Sequence, residues 1–546
     1  MEYITAQDLY QRIEEALAAE AQGVANHILH DTLVLCCHEG LRHTRHAFGN
    51  LSSQVDYLCR DRHMASQDVL AIQRMRRHSN SDEPLSPEDL GYDCRALALF
   101  VSAVFQTSVP ASLVGRIPAT GRAAQGSPIS SYTYLRCVVR SFDDEIIHAT
   151  VVNQDCDEEV VTIDYHHTPD YIDFSYLTRI LQEGMTLNLL DCHREDERLI
   201  PGLIIVEPDY LLDISAIASC FEDYGHHPLL FTLHRLKERQ NSKHILLGNF
   251  AGSALDDLIN HAQYRFADTL QRNFREKAIE YACCPDFDPS EFKKLAESQV
   301  SNMQAVVAEL FGRYNKEKAI LEPSFICEKL GIQGRVDLMT TDLRLLVEQK
   351  SGQNYFLKRH TRNRYGSLHV EKHYVQVLLY FGVLSYNFGL SPKHADIYLL
   401  YSKYPLPDGL MQVEPLRKLL REALKYRNQV VALEYWMAFH GLERILPHLH
   451  VSTLNTEHLD DYFFHAYLQP QIEAVTTPLQ TMKPLERAYF CRMMRFVMRE
   501  QIVAKVGAQE GVGSPRDRGF GRGRPMEHAT EHEAGDRQYL YPSAHR

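Results

Sequence analysis

The chain has 546 residues, 45% of them hydrophobic and 24% charged, with a formal net charge of -13. That length and apolar content suffice for several packed domains and exclude a fibre or a solvated tail. The acidic balance excludes a protein that coats nucleic acid with uniform positive potential, so any DNA contact has to come from local basic patches and bound metal.

In chain order, residues 1–125 read as a mainly helical region. Met1 to Asp8 carries acids and no charged-then-apolar leader. Glu2 to Ala21 has helix-forming composition, and Leu33 to Cys59 carries apolar residues on a mixed period. Cys94 to Phe105 is strongly apolar but too short to span a bilayer. A loop rich in Ser, Asp, Glu and Pro is expected over Arg77 to Gly91. From 126 to 220 the pattern turns to short alternating strands: Tyr134 to Arg140, Glu145 to Val152, Glu159 to Tyr165, Thr186 to Asp191 and Leu203 to Val206. Five such strands suit a small barrel of the oligonucleotide-binding (OB) kind, or a β-rich insertion with no binding role.

Residues 221–440 are expected to form an α/β (α+β) core, a mixed sheet flanked by helices. Leu247 to Tyr264, Glu276 to Ala282 and Glu291 to Arg313 read as helices leading to a strand over Ser324 to Leu330. Glu322 just before it is a further acid near the centre, or a solvated edge residue. Two apolar runs, Val336 to Met339 and Leu343 to Val347, then flank the turn-like Thr340-Thr341-Asp342 and predict a β-hairpin. Alternation along the second run sends Leu346, Glu348 and Lys350 to one face and Leu345, Val347 and Gln349 to the other. A carboxylate and an ammonium thus leave one face side by side, and Asp337 can bring a second carboxylate to the same place. Such a cluster is costly in a half-buried sheet unless a cation sits among the carboxylates. Hard oxygen ligands in small number suit Mg2+ or Mn2+, with Lys350 placed to hold or polarise an attacking water, which is the chemistry of phosphodiester hydrolysis. For this triplet alone, a solvated salt bridge is the alternative.

Downstream, Lys358, Arg359, His360, Arg362 and Arg364 form a cationic run that can neutralise phosphates or lie as a solvated loop. A helix over Gly366 to Leu390 places His373, Gln376 and Tyr380 on one face. A strand over Ala395 to Tyr401 and a helix over Val413 to His440 follow. Residues 441–510 read as a helical stalk, in which Leu485 to Val506 has an apolar face and a basic face carrying Arg487, Arg492, Arg495 and Arg499. Residues 511–546 are Gly/Arg/His-rich and expected to be disordered; Arg522-Gly523-Arg524-Pro525 matches the core of an AT-hook, but Gly521 replaces the flanking proline, and a tail without function is the favoured expectation. No Gly-x-x-x-x-Gly-Lys-(Ser/Thr) occurs, so no ATP-driven motor is encoded. The pairs His166-His167 and His226-His227 lack a cysteine or acid at ligand spacing and read as surface or internally satisfied histidines rather than zinc ligands. Twelve cysteines without a Cys-x-x-Cys indicate a reduced, cytoplasmic compartment.

Asp337 followed by Glu348-Gln349-Lys350 resembles the D…(D/E)-x-K signature of the PD-(D/E)xK nucleases. Gly334 and Ser351-Gly352 narrow the match to RecB-like nucleases, whose pattern is roughly G-x-x-D and then (D/E)-x-K-(S/T)-G. Gln376-x-x-x-Tyr380 matches the helix that follows the active-site strands in that family. The barrel-then-nuclease order resembles the nuclease part of the flap-processing nuclease-helicases of DNA replication and repair. The resemblance implies Mg2+ held by Asp337, Glu348 and the Gln349 carbonyl, catalysis through Lys350, and DNA contacts from His373, Gln376, Tyr380, Arg359, Arg362 and Arg364. It further implies single-stranded or flapped DNA as substrate, a nucleoid-associated location, and a helicase working as a partner or as a missing domain. The family carries a metal-binding histidine on its first nuclease helix. Here Asp256 stands at that position, as a substitute ligand or a solvated acid. One branch of the family holds an iron-sulfur cluster; with Cys491 the sole cysteine beyond Tyr380, none is expected here. The rival expectation is a non-catalytic DNA-binding or assembly subunit that keeps the nuclease fold.

Overall fold

Helix caps set the start of the chain. Thr5 and Asp8 cap reciprocally, Asp8 N donating to Thr5 Oγ1 at 3.3 Å and Thr5 N to Asp8 Oδ2 at 2.8 Å, so α1 (Ala6–Ala18) begins at residue 6 rather than 2. The computed structural model describes residues 4–19, 22–42, 51–79, 85–122, 131–152, 160–168, 172–195, 197–238, 241–354, 370–390, 394–413 and 415–507. They divide into two units, one comprising Met1–Tyr210, Glu434–His440 and Arg495–Arg546, the other Leu211–Leu433 and Gly441–Met494. The boundary near 210 lies ten residues before the expected 220, and the helical region and the β-rich segment share a unit.

In the first unit, α1 is followed by α2 (Gln22–Gly40), α3 (Leu51–Asp61), α4 (Ser66–Ser79), α5 (Pro87–Phe105) and α6 (Ala111–Val114). Their apolar faces meet in a core of Leu9, Ile13, Leu29, Leu33, Ile72 and Phe100. The expected loop over 77–91 is shorter than read, because α4 continues to Ser79 and Ser86 caps α5 with Pro87 at its first position.

The strands are β1 (Ser131–Phe142), β2 (Ile146–Val151), β3 (Val160–Asp164), β4 (Thr186–Glu195), β5 (Arg198–Ile200) and β6 (Leu203–Val206). Pairings β1–β2, β2–β3, β3–β5, β5–β4 and β4–β1 close a five-stranded barrel, and β6 adds outside β4. Alternate residues Leu135, Cys137 and Val139 of β1 fill its interior with Ala149, Ile163, Leu187 and Leu189. β5 was not expected: three residues are too few to show alternation, yet they close the ring.

In the second unit, β7 (Leu212–Asp213), α7 (Ile214–Ala218), the hairpin strands β8 (Phe221–Glu222) and β9 (Gly225–His226) and α8 (Leu229–Leu236) precede the helices of the core. Those are α9 (Lys243–Asn260), α10 (Phe266–Glu276), α11 (Ala278–Ala282) and α12 (Pro289–Arg313). α9 starts earlier than expected because Ser242 caps it. Next come β10 (Ala319–Leu321), β11 (Ser324–Cys327), β12 (Ile332–Arg335), β13 (Leu338–Thr340) and β14 (Leu345–Lys350). α13 (Glu371–Phe388), β15 (Asp396–Tyr401), β16 (Leu410–Val413) and α14 (Arg417–His440) follow. The main sheet runs β10-β13-β14-β15-β16, with β14 and β15 parallel. α13 is the crossover that parallel neighbours require.

β10–β13 and β11–β12 form one antiparallel ribbon that bends from the main sheet into a second sheet with β7. Glu322, left-handed at φ 49°, marks the bend opposite Asp337, to whose carbonyl it donates at 3.0 Å. Leu345 and Val347 face the core built on α9 and α12. The expected hairpin is present as β13 and β14, although β14 begins at Leu345 because Leu343 is left-handed at φ 58°.

The long C-terminal helix runs Pro484–Val506, as expected, and buries Cys491, Met498 and Ile502. Arg495 and Arg499 donate to the last carbonyls of α14, Arg499 Nε to Ala438 O at 2.9 Å, while Tyr489, Phe496 and Val497 are exposed. The arginines complement a helix C-terminus. Among the described residues no helix is long and apolar enough to cross a membrane. The tail over 511–546 lies outside the described residues.

Candidate active site

The bend in the ribbon delivers Asp337 to β14. Its Oδ2 accepts the backbone N–H of Gln349 at 2.6 Å, tying the acid across the hairpin. On β14, alternation sends Glu348 and Lys350 toward α13. Lys350 Nζ lies 2.7 Å from Glu348 Oε1 and 3.0 Å from Gln376 Oε1, and Gln376 Nε2 donates to the same Glu348 oxygen at 2.6 Å. Three side chains thus close a triangle across strand and helix. It leaves one atom out: Glu348 Oε2 is buried and has no hydrogen-bond partner. An unsatisfied carboxylate oxygen in a residue only 3% exposed is costly.

The electrostatics agree. Burial pushes the Glu348 carboxyl up to about 7, with Lys350 pulling against it and Asp337 adding to it. Burial likewise raises Asp337, opposed by Lys350. Asp256, on α9, is raised to about 6 by burial and then by the charges of Glu322, Asp337 and Asp257. The charges of Glu322 and Asp337 thus act on Asp256, and that of Asp337 on Glu348. Their side chains do not close into a ready-made shell: among the described residues no group of three His, Cys, Asp or Glu side chains is poised around one point.

Adjacent acids on α9 have different employments. Asp257 is buried and accepts from Thr269 and, at 2.7 Å, from Arg272 Nη2, whereas Asp256 is raised by burial and by the charges of Glu322 and Asp337. Asp257→Ala is therefore expected to lower stability by roughly 1–3 kcal/mol through two lost hydrogen bonds, the one from Thr269 buried. Asp256→Ala should leave the melting temperature unchanged or higher, since burial raises its carboxyl. Paired melting curves check the split.

Tyr380, expected to contact DNA, is buried, and its hydroxyl donates to the Arg335 carbonyl, where it holds the end of β12. This gives Gly334 its reason: a Cβ there would lie 3.0 Å from Tyr380 Cε1 and 3.1 Å from both its hydroxyl and Ile214 Cδ1. Gly334→Val is expected to displace Tyr380 and cost about 1–3 kcal/mol by overpacking, read as a lower melting temperature. His373 is half-buried with Nδ1 3.1 Å from the Tyr401 hydroxyl. Arg359, Arg362 and Arg364 lie outside the described residues.

Gln349 points away from the site, as alternation demands. Its Nε2 donates to Ser402 Oγ at 3.0 Å, which donates to Gln299 Oε1 at 2.8 Å, while Gln299 Nε2 reaches Ser351 O at 3.3 Å. This buried polar network stiffens β14 from behind and was not foreseen, since nothing in the local sequence links residues 299, 349 and 402. Glu322 was visible as an acid; in the structure its side chain is 44% exposed and lies 3.0 Å from Arg335 Nη1, close enough for its charge to raise Asp256 and Asp337.

No protein-family model matches the chain, and no curated protein matches it. Among solved structures it is similar to that of a candidate exonuclease from Eubacterium rectale, at 14% identity over 42% of this chain and 81% of the other, with a TM-score of 0.28. A superposition that loose leaves the reading of the site to its own residues.

Proposed function

We propose that this chain is a metal-dependent deoxyribonuclease of the RecB-like, PD-(D/E)xK type, hydrolysing phosphodiester bonds in single-stranded or flapped DNA. The observation that carries the reading is Glu348 Oε2, buried without a partner beside Asp337 and beside the ammonium of Lys350. An orphaned carboxylate oxygen among further acids fits a hard divalent cation. Asp337, Glu348, the Gln349 carbonyl and Asp256 would hold Mg2+ or Mn2+. When bound, such an ion supplies positive charge to the phosphate oxygens and acidity to a water.

The protein's own groups do the rest. Glu348 and Gln376 take two of the three Lys350 N–H donors, leaving the third for the attacking water or the scissile phosphate. Gln376 keeps amine and carboxylate in register, so water and phosphate meet in a fixed geometry. Asp337, fastened to the Gln349 amide, cannot swing away. The family resemblance supports a role in DNA replication or repair with a helicase acting in trans. A direct test offers end-labelled single-stranded, flapped and blunt duplex oligonucleotides in Mg2+. Cleavage of the first two and sparing of the third is expected; equal cleavage of all three would remove the substrate assignment.

A further inference from the structure

The start of α13 is gripped by the β8–β9 hairpin, which is itself fastened from behind. His226 N donates to Thr456 Oγ1 at 3.0 Å and Glu457 N to Tyr224 O at 3.2 Å. A Cβ on Gly225 would lie 2.4 Å from Leu454 O and 2.7 Å from Thr456 N, backbone atoms that cannot yield, so glycine alone fits. From this anchored hairpin two side chains reach the first turn of α13. Glu222 takes Lys372 Nζ at 3.2 Å and the His234 ring at 3.1 Å. His226, its side chain 2% exposed, sits between two acids, Nε2 3.0 Å from Glu371 Oε2 and Nδ1 3.0 Å from Glu422 Oε1 on α14. Carboxylate oxygens accept, so both ring nitrogens donate and the ring is an imidazolium. Burial works to lower its pKa, but the hydrogen bonds and charges of Glu371 and Glu422 raise it to about 9. Glu371 Oε1 is buried without a hydrogen-bond partner, which leaves the histidine as the group that compensates this carboxylate.

Gln376, five residues further along the same helix, bridges Glu348 and Lys350. We propose that His226 is a positioning residue for the cleavage site: by fixing Glu371 it sets the axial position and rotation of α13, and through Gln376 the placement of Glu348 and Lys350. This rests on the nuclease reading above. A slip of one residue along the axis moves Gln376 by about 1.5 Å, enough to break both of its bonds.

The groups facing His226 are Glu371 and Glu422 in contact, the ring of Tyr426, and the Glu222–Lys372–His234 cluster on the same hairpin. Because the pKa in the fold lies above that of a free imidazole, the grip is complete below about pH 6.5 and is lost as pH rises through the folded value.

The test compares wild type, His226→Gln and the milder Glu422→Gln. In both variants kcat on single-stranded DNA is expected to fall about tenfold or more with KM nearly unchanged. In Glu422→Gln the alkaline fall in rate should also move about one pH unit lower, a shift that mere loss of stability does not produce. Independently of cleavage, amide exchange over Tyr374 to Leu378 should quicken about tenfold or more in the variants. Unchanged kcat, alkaline limb and exchange in both would overturn the proposal. If Glu348→Gln cleaves as fast as wild type, the nuclease reading fails and the exchange result still judges the clamp. If Glu348→Gln is inactive while both clamp variants match wild type in rate and exchange, the clamp alone fails.

Discussion

Glu348→Gln is expected to give a folded protein that cuts single-stranded DNA on the order of a thousandfold more slowly than wild type. The substitution keeps volume and the Oε1 contacts to Lys350 and Gln376, so the triangle between β14 and α13 survives in shape. What goes is the negative charge on a side chain whose second oxygen has no partner. The fold is expected to survive because burial already biases this carboxyl toward its neutral form, and the glutamine keeps a hydrogen bond to Lys350 where the ion pair stood. Lys350→Ala should reach similar inactivity by a different route, deleting the ammonium that lies 2.7 Å from Glu348 Oε1 and 3.0 Å from Gln376 Oε1. Single-turnover rates and thermal melts on the same preparations separate lost chemistry from lost fold. Wild-type rates in the glutamine variant would remove Glu348 from the reaction.

A second large effect is expected in stability against pH without any cleavage. In the absence of divalent cation, wild type should lose stability as pH rises from about 4.5 to about 7, the ordinary and the raised values of the Glu348 carboxyl. The sign follows from proton binding: in that window the folded state keeps a proton that the unfolded chain has released, so raising the pH favours unfolding. At about 1.4 kcal/mol per decade of proton affinity, the contribution is roughly 3 kcal/mol. Asp256, raised to about 6, acts in the same direction. Other carboxylates, such as Asp342 at about 2, resist acid and dominate only at lower pH. Subtracting the melting profile of Glu348→Gln from that of wild type isolates the glutamate. Millimolar Mg2+ should restore the lost stability near pH 8 in wild type and not in the variant, because a ligand bound only by the folded state stabilises it by mass action. A flat difference profile would contradict the burial assigned to Glu348.

The parts of this structure legible in the sequence were those written in local periodicity. Period-two alternation from Leu345 to Lys350 separated Glu348 and Lys350 from Gln349, and the structure keeps that separation. Helical spacing put Gln376 and Tyr380 on one face of α13, and both do face the strands. Four turn-bounded strands located the barrel, with a fifth at Leu203–Val206 that lies outside its ring. What stayed hidden depends on contacts between distant residues. The barrel closes through β5, too short to alternate. Gln299, Gln349 and Ser402 meet only because α12, β14 and β15 stack. His226 read as a surface or internally satisfied histidine, and only the fold shows that Glu371 and Glu422 satisfy it. The two faces of Pro484–Val506 were legible, but not that Arg495 and Arg499 would meet the carbonyls of a helix end.

The most direct measurement incubates the purified full chain with a 5'-end-labelled single-stranded oligonucleotide, first in Mg2+, then with excess chelator, then with Mg2+ restored. Cleavage that appears, stops and returns, and that Lys350→Ala lacks throughout, is the expected result. Cleavage that persists in chelator, or none from wild type under any of the three conditions, would contradict the assignment of Asp337, Glu348 and Lys350 as a cation-dependent hydrolytic centre.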